Sequence, residues 1–163
     1  MSERGKAAER AWLRAQVADY RRVRDKYAEL AEKLEAILRT EVAELAPLAI
    51  VQARPKSIAS FAEKAIRKRS KYEDPVREFT DLCGARVIAR TRSEVNALSE
   101  FVKERFEIDE ANSVDTADRL DPSAFGYRSA HYIVSFKPGV RYRGVSAPRR
   151  LHGLRAEVQQ NVA

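Results

Sequence analysis

Between Ala11 and Leu45 apolar residues return at spacings of three and four: Leu13, Val17, Tyr20, Val23, Tyr27, Leu30, Leu34, Ile37 and Leu38. The periodicity predicts one long amphipathic helix that continues past Glu44 toward Pro47, with Arg, Glu, Lys and Asp on its exposed side. A stripe of that length requires a partner surface. It can pack on the rest of the chain or on a second copy of itself, and the mixed spacing permits a heptad coiled coil without requiring one. A chain of 163 residues, 44% of them hydrophobic, has enough material for this arm and one further core. The organisation expected is a helical arm over residues 1–46 followed by one domain over 47–163.

Several classes are excluded early. The apolar runs, such as Ala46 to Val51, are far shorter than the ~20 residues that span a bilayer, and Met1-Ser2-Glu3-Arg4 begins no signal peptide. A soluble, cytoplasmic protein without a membrane partner is expected. The single cysteine, Cys83, has no mate for an internal disulfide, and with His131 and His152 it cannot complete a closed zinc site of the usual kind. Charge is informative through its placement. Residues 46–72 hold 7 basic and 1 acidic side chains, residues 73–121 hold 7 and 13, and residues 122–163 hold 7 and 1. Two basic segments around an acidic one can meet as a phosphate-binding surface, or can be solvated faces, so composition alone does not decide between them.

After Pro47 and Pro55 the sequence predicts a second helix over Ser57 to Lys71, apolar at Ile58, Phe61, Ala65 and Ile66. Residues 82–89 read as a buried strand, followed by a helix capped by Ser93 with Val95, Leu98, Phe101 and Val102 on its apolar side. Phe106 to Ile108 begins a short strand, Asp109 to Asp121 is an acidic loop, and Ser129 to Phe136 alternates as a strand should. A basic loop from Arg141 to Arg150 leads to a last strand over Leu154 to Gln159. Helices between the early strands and loops between the later ones point to an α/β or α+β fold, a mixed sheet with flanking helices.

Four groups of residues can carry chemistry. Ser60, Lys64, Arg67 and Lys68 share one helical side, with Arg54 and Lys56 just upstream; together they can grip a triphosphate, or form an ordinary solvated basic face. Asp81 opens a buried strand, a rigid perch from which a carboxylate can hold Mg²⁺ against nucleotide phosphates, and Gly84 allows close approach or a bulge before Arg86; an edge aspartate capping a turn would look the same. In the last strand Arg155, Glu157 and Gln159 face opposite to Leu154, Ala156 and Val158, so Glu157 can serve as a second carboxylate or a base, unless that face is merely solvated. The run Phe125-Gly126-Tyr127-Arg128-Ser129-Ala130-His131-Tyr132 places an aromatic that can stack on a purine beside Arg128 and His131, which can reach phosphate or ribose; a buried aromatic with a satisfied histidine is the plainer reading.

Taken in order, these groups resemble the synthetase domain of the RelA/SpoT family, including its small single-domain alarmone synthetases, over residues 54–159. Arg54, Lys56, Ser60, Lys64 and Lys68 are similar to the family's Arg-x-Lys segment with its downstream Ser and Lys, and Asp81, Gly84 and Arg86 to its Asp-x-x-Gly-x-Arg strand. Gly126, Tyr127, Ser129 and His131 look like its Gly-Tyr-x-Ser-x-His run, and Glu157, Val158 and Gln159 like its Glu-(Ile/Val)-Gln strand. The resemblance implies a nucleotidyltransferase-like mixed sheet and transfer of pyrophosphate from ATP to the 3′-hydroxyl of GDP or GTP. It implies that the first group, with Arg86, binds ATP, and that Asp81 and Glu157 hold Mg²⁺ or act catalytically. It further implies that Tyr127, with Arg128, His131 and Gln159, binds the acceptor, and that the protein assembles as a homo-oligomer. Two departures are visible: Phe125 stands where many members have asparagine, and the sequence stops soon after Gln159, where members continue with Arg-Thr and a packing helix. A final strand without that helix is expected to fray unless a partner chain or the N-terminal helix covers it. Two rival readings are an enzyme acting on the 3′ end of tRNA, with loop 141–150 on RNA phosphates, and a catalytically inactive nucleotide-binding module.

Overall fold

A computed structural model of the chain describes residues 2–116 and 128–163. Helix α1 runs Glu3–Leu45, capped at its start by the Ser2 hydroxyl, which accepts from the Gly5 N–H. It is followed by β1 (Ile50–Pro55), α2 (Ile58–Arg67), the short α3 (Pro75–Glu78), β2 (Cys83–Ala89), α4 (Arg92–Arg105), β3 (Phe106–Ile108), β4 (Val114–Asp115), β5 (Ser129–Phe136) and β6 (Ala156–Val162). The strands form one mixed sheet in the order β1-β2-β6-β5-β3, with β4 also on β5. Among the described residues only β2 and β6 run parallel.

The apolar stripe of α1 finds its partner within the chain. Tyr20, Tyr27, Leu30, Leu34, Leu38 and Val42 are buried in the same core as the inward side chains of the sheet. Helix α1 also protects the outer edge of β1, because Glu35 accepts the Ala53 N–H at 3.1 Å and Arg39 donates to the Val51 carbonyl at 3.0 Å. Unpaired strand edges invite other chains, and charged side chains of a covering helix close this one. Strand β1 itself was not legible in the sequence, since its apolar start and terminal Pro55 read as a break between helices.

Alternation sorts the sheet into two faces. Val51, Cys83, Ala85, Val87, Ala130, Tyr132, Val134, Ala156 and Val158 point into the core, where α1 and α4 lie. Register then places Arg54 beside Gly84, Gly84 beside Glu157, Arg86 beside Gln159 and Gln159 beside His131, all on the opposite face. The alternating reading of residues 154–159 is borne out in phase, but the strand begins at Ala156 and runs to Val162. It does not behave as an uncovered terminal strand: β6 lies between β2 and β5 with α4 packed on it, and Val158 is 0% exposed. Two further expectations are corrected. Helix α4 is capped by Thr91, not Ser93, because Thr91 and Glu94 complete a reciprocal capping box. Helix α2 ends at Arg67, and residues beyond it turn away toward α3.

Candidate functional site

The site is assembled where β1 hands over to α2. Pro55 closes the strand, and the Ser57 hydroxyl caps the helix by accepting the Ser60 N–H at 3.1 Å. Lys56, between them, is fixed through its backbone: its N–H donates to the Leu82 carbonyl at 2.8 Å, and its carbonyl accepts from the Tyr20 hydroxyl at 2.7 Å and from Arg24 Nε at 3.1 Å. Its ammonium then reaches Asp81 Oδ2 at 2.9 Å, while Lys64, from the α2 face turned the same way, reaches Oδ1 at 2.9 Å. Each carboxylate oxygen thus receives its own lysine.

Burial pushes the Asp81 carboxyl up, but the hydrogen bonds and charges of Lys56 and Lys64 outweigh it and hold the group below the usual aspartate range. A carboxylate with a depressed folded pKa contributes stability above its unfolded pKa and loses it as pH falls through the folded value. Acid titration of the wild type is therefore expected to include a destabilising proton uptake that the Asp81→Asn variant lacks. Urea midpoints measured from neutral pH down to acid should converge for the two proteins below the depressed pKa. Parallel curves over that range would refute the assignment.

Across the face opposite the core runs a hydrogen-bonded row drawn from three adjacent strands. Arg86 donates to Gln159 Oε1 at 3.4 Å, Gln159 Nε2 donates to Glu157 Oε1 at 2.8 Å, and His131 Nδ1 lies 3.1 Å from the same Glu157 oxygen. Gly84 forms part of the floor: a Cβ built on it meets nothing within 4 Å, and the uninterrupted register shows no bulge. Arg54, Lys56, Ser60, Asp81, Gly84, Arg86, Glu157 and Gln159 all line one cleft of ≈ 820 Å³.

Not every expected residue reaches it. Lys68 is the C-terminal cap residue of α2 and does not line the cleft, because the helix axis carries each successive turn ~5.4 Å along. Arg67 is drawn aside by Glu63 at 2.7 Å. The ligand-contact role expected of Arg128 is corrected: its guanidinium is buried on the core side, bound to Asp115, Asn96 and Ser99. Tyr127 lies outside the described residues. Conversely, α1 contributes Arg24 and Glu35 to the cleft wall. No local signal marked them, since their place depends on how α1 docks against β1.

Three carboxylates line this cleft; Glu35 is committed to the Ala53 N–H, which leaves Asp81 and Glu157 as candidate donors, and among the described residues no group of three or more His, Cys, Asp or Glu side chains converges. Such a donor set suits Mg²⁺, which is commonly held by one or two carboxylates together with substrate phosphates and water. Among the described residues no helix is long and apolar enough to cross a membrane.

A mixed sheet with one helix-covered face, and on the other a cleft lined by arginines, Lys56 and three carboxylates, defines an α+β protein. Residues 53–160 match the region found in RelA / SpoT proteins. The chain belongs to that family. The fold is shared by the small alarmone synthetase 1 from Bacillus subtilis, with a TM-score of 0.64 and 23% identity over 88% of this chain and 71% of that one. The same synthetase bound to its product pppGpp gives 0.63 and 22%, over 89% and 74% of the two chains. Its structure bound to AMPCPP gives 0.62 and 18%, over 89% and 71%. No curated protein matches the sequence.

Proposed function

We propose that this protein transfers the β,γ-pyrophosphate of ATP to the 3′-hydroxyl of GDP or GTP, forming (p)ppGpp. The observation that carries the reading is that one cleft is lined both by Lys56 and Asp81, the latter also held by Lys64, and by the row Arg86, Gln159 and Glu157, the last also met by His131. Two nucleotides need two adjoining subsites, and these are candidates for them. The similar synthetase with pppGpp or AMPCPP bound supports the choice of ligands.

In this reading Arg54, Lys56, Ser60, Lys64 and Arg86 bind ATP, with arginine forks and lysine charges distributed along its phosphates. His131 and Gln159 contact the acceptor, and Tyr127 stacks on its guanine. Asp81 and Glu157 would hold Mg²⁺, which neutralises phosphate charge when bound. Lys56 and Lys64 exchange Asp81 for phosphate oxygens as ATP enters. The 3′-oxygen forms a bond to the β-phosphorus while the bond from that phosphorus to the α-phosphate bridging oxygen breaks, and AMP departs. The hydroxyl proton passes to a base, for which Glu157 is the candidate, its Oε1 oriented by His131 and Gln159. Catalysis comes from alignment and charge neutralisation, and no covalent enzyme intermediate is needed.

The tRNA alternative relied on loop 141–150. Two of its arginines are already engaged by α1: Arg143 with Glu41 and Glu44, and Arg150 with Glu29. Purified protein offered Mg²⁺, β-labelled ATP and, in parallel, GDP, GTP or tRNA should place label on the guanine nucleotides. Label on tRNA alone would replace this reading with the alternative. ATP binding without transfer to any acceptor would leave an inactive binding module.

A further inference from the structure

We propose that the buried Arg128–Asp115 pair is a positioning device for the acceptor half of the cleft, so that its integrity sets affinity for the guanine nucleotide and not for ATP. The inference rests on the proposed function. Arg128, 6% exposed, precedes β5 and points to the core side. Its guanidinium pairs with Asp115 on β4, donates through Nε to Asn96 Oδ1 at 3.0 Å on α4, and donates to the Ser129 carbonyl at 3.2 Å. The Tyr132 hydroxyl also donates to Asp115, and Ser99 on α4 donates to Gln160 Oε1 of β6 at 2.6 Å while lying 3.5 Å from Arg128. One internal charge pair therefore ties α4, β4, β5 and β6 together.

Its location explains what it would control. Asp115 pairs in register with Ala130, and Val114 with His131. Ala130 and Tyr132, on either side of His131 in the chain, point toward the core while His131 points to the opposite face and meets Glu157, which lines the cleft. The Thr116 hydroxyl adds a two-way tie to Ser129, donating to its carbonyl at 2.8 Å and accepting its N–H at 3.0 Å. The clamp thus sits directly behind His131 and, through it, the Glu157 carboxylate. The groups assigned to ATP hang instead on β1, α2 and β2, where Lys56 and Lys64 bond to Asp81 and Arg86 to Gln159. A buried ion pair is a poor source of net stability, because desolvation offsets its attraction, but it fixes geometry in a way that an apolar contact does not.

Equilibrium binding of AMPCPP, and of GDP with AMPCPP saturating, should be measured for the wild type and two variants. Arg128→Lys keeps the charge and loses the planar fork; Arg128→Met with Asp115→Asn removes both charges, so that neither is left buried alone. Both variants are expected to weaken GDP binding at least about tenfold and to leave AMPCPP within about twofold, since a misplacement of about 1 Å can cost ~10²-fold in function. Equal weakening of both ligands, or unchanged GDP affinity in folded variants, would overturn the clamp. Wild type that binds AMPCPP but no GDP would overturn the proposed acceptor, and the clamp with it.

Discussion

Replacing Asp81 with asparagine should lower pyrophosphate transfer by at least about 100-fold, the scale expected when a charge aimed at the reacting groups is lost. The substitution preserves size and removes the charge that draws Lys56 and Lys64 together at 2.9 Å each. Without it, no carboxylate remains at that point of the cleft to receive a cation, while both ammoniums stay available to phosphate. Affinity for ATP should therefore be kept or increased while kcat falls. Losing hydrogen bonds to a charged group costs about 1–3 kcal/mol, less than the roughly 5–15 kcal/mol that holds an ordinary domain together. Steady-state kinetics beside a thermal unfolding curve separate the two effects. Activity within tenfold of wild type in the folded variant would remove Asp81 from the mechanism.

Phe61→Ala is expected to be the most damaging single truncation near the site, costing about 3–5 kcal/mol. Phe61 is 0% exposed, stacks on Tyr20 with ring centroids 4.4 Å apart, and meets Phe79 edge-on at 5.5 Å. With Ala65 it is a buried contact of α2 in the core shared with α1. Tyr20 in turn donates to the Lys56 carbonyl, so the cavity should disturb function as well as stability: the KM for ATP should rise in whatever fraction remains folded. Denaturant unfolding reads the first effect, and a loss below 1 kcal/mol would contradict this account of the core.

How much of this was legible in the sequence depended on whether the signal was local. The helical spacing of Leu13 to Leu38 and the alternation of Ser129 to Phe136 are periodic, and α1 and β5 follow them. Asp81, Lys56, Glu157 and His131 could be singled out because residues of those types occurred in distinctive runs. That Asp81 is held by both Lys56 and Lys64, or that Glu157 meets both His131 and Gln159, is a product of strand order, which periodicity does not specify. Lys68 falls at the end of α2 and outside the cleft lining because helical spacing says which side a residue faces and nothing of where the helix stops. Arg128 failed for a related reason: the alternation of β5, extended back one residue, assigns it to the core face, where Asp115 was waiting 13 positions earlier in the chain. Thr91 displaced Ser93 as cap because the box with Glu94 satisfies two backbone donors at once.

The central claim is that an intact pyrophosphate group moves in the cleft between Asp81 and Glu157. It is tested most directly with ATP carrying distinguishable phosphorus or oxygen labels at its β and γ positions. After reaction with GDP or GTP, both labels should appear together on the guanosine 3′-position, with one AMP released per product. Transfer of the γ label alone, with ADP as the other product, would show an ordinary kinase and contradict the account.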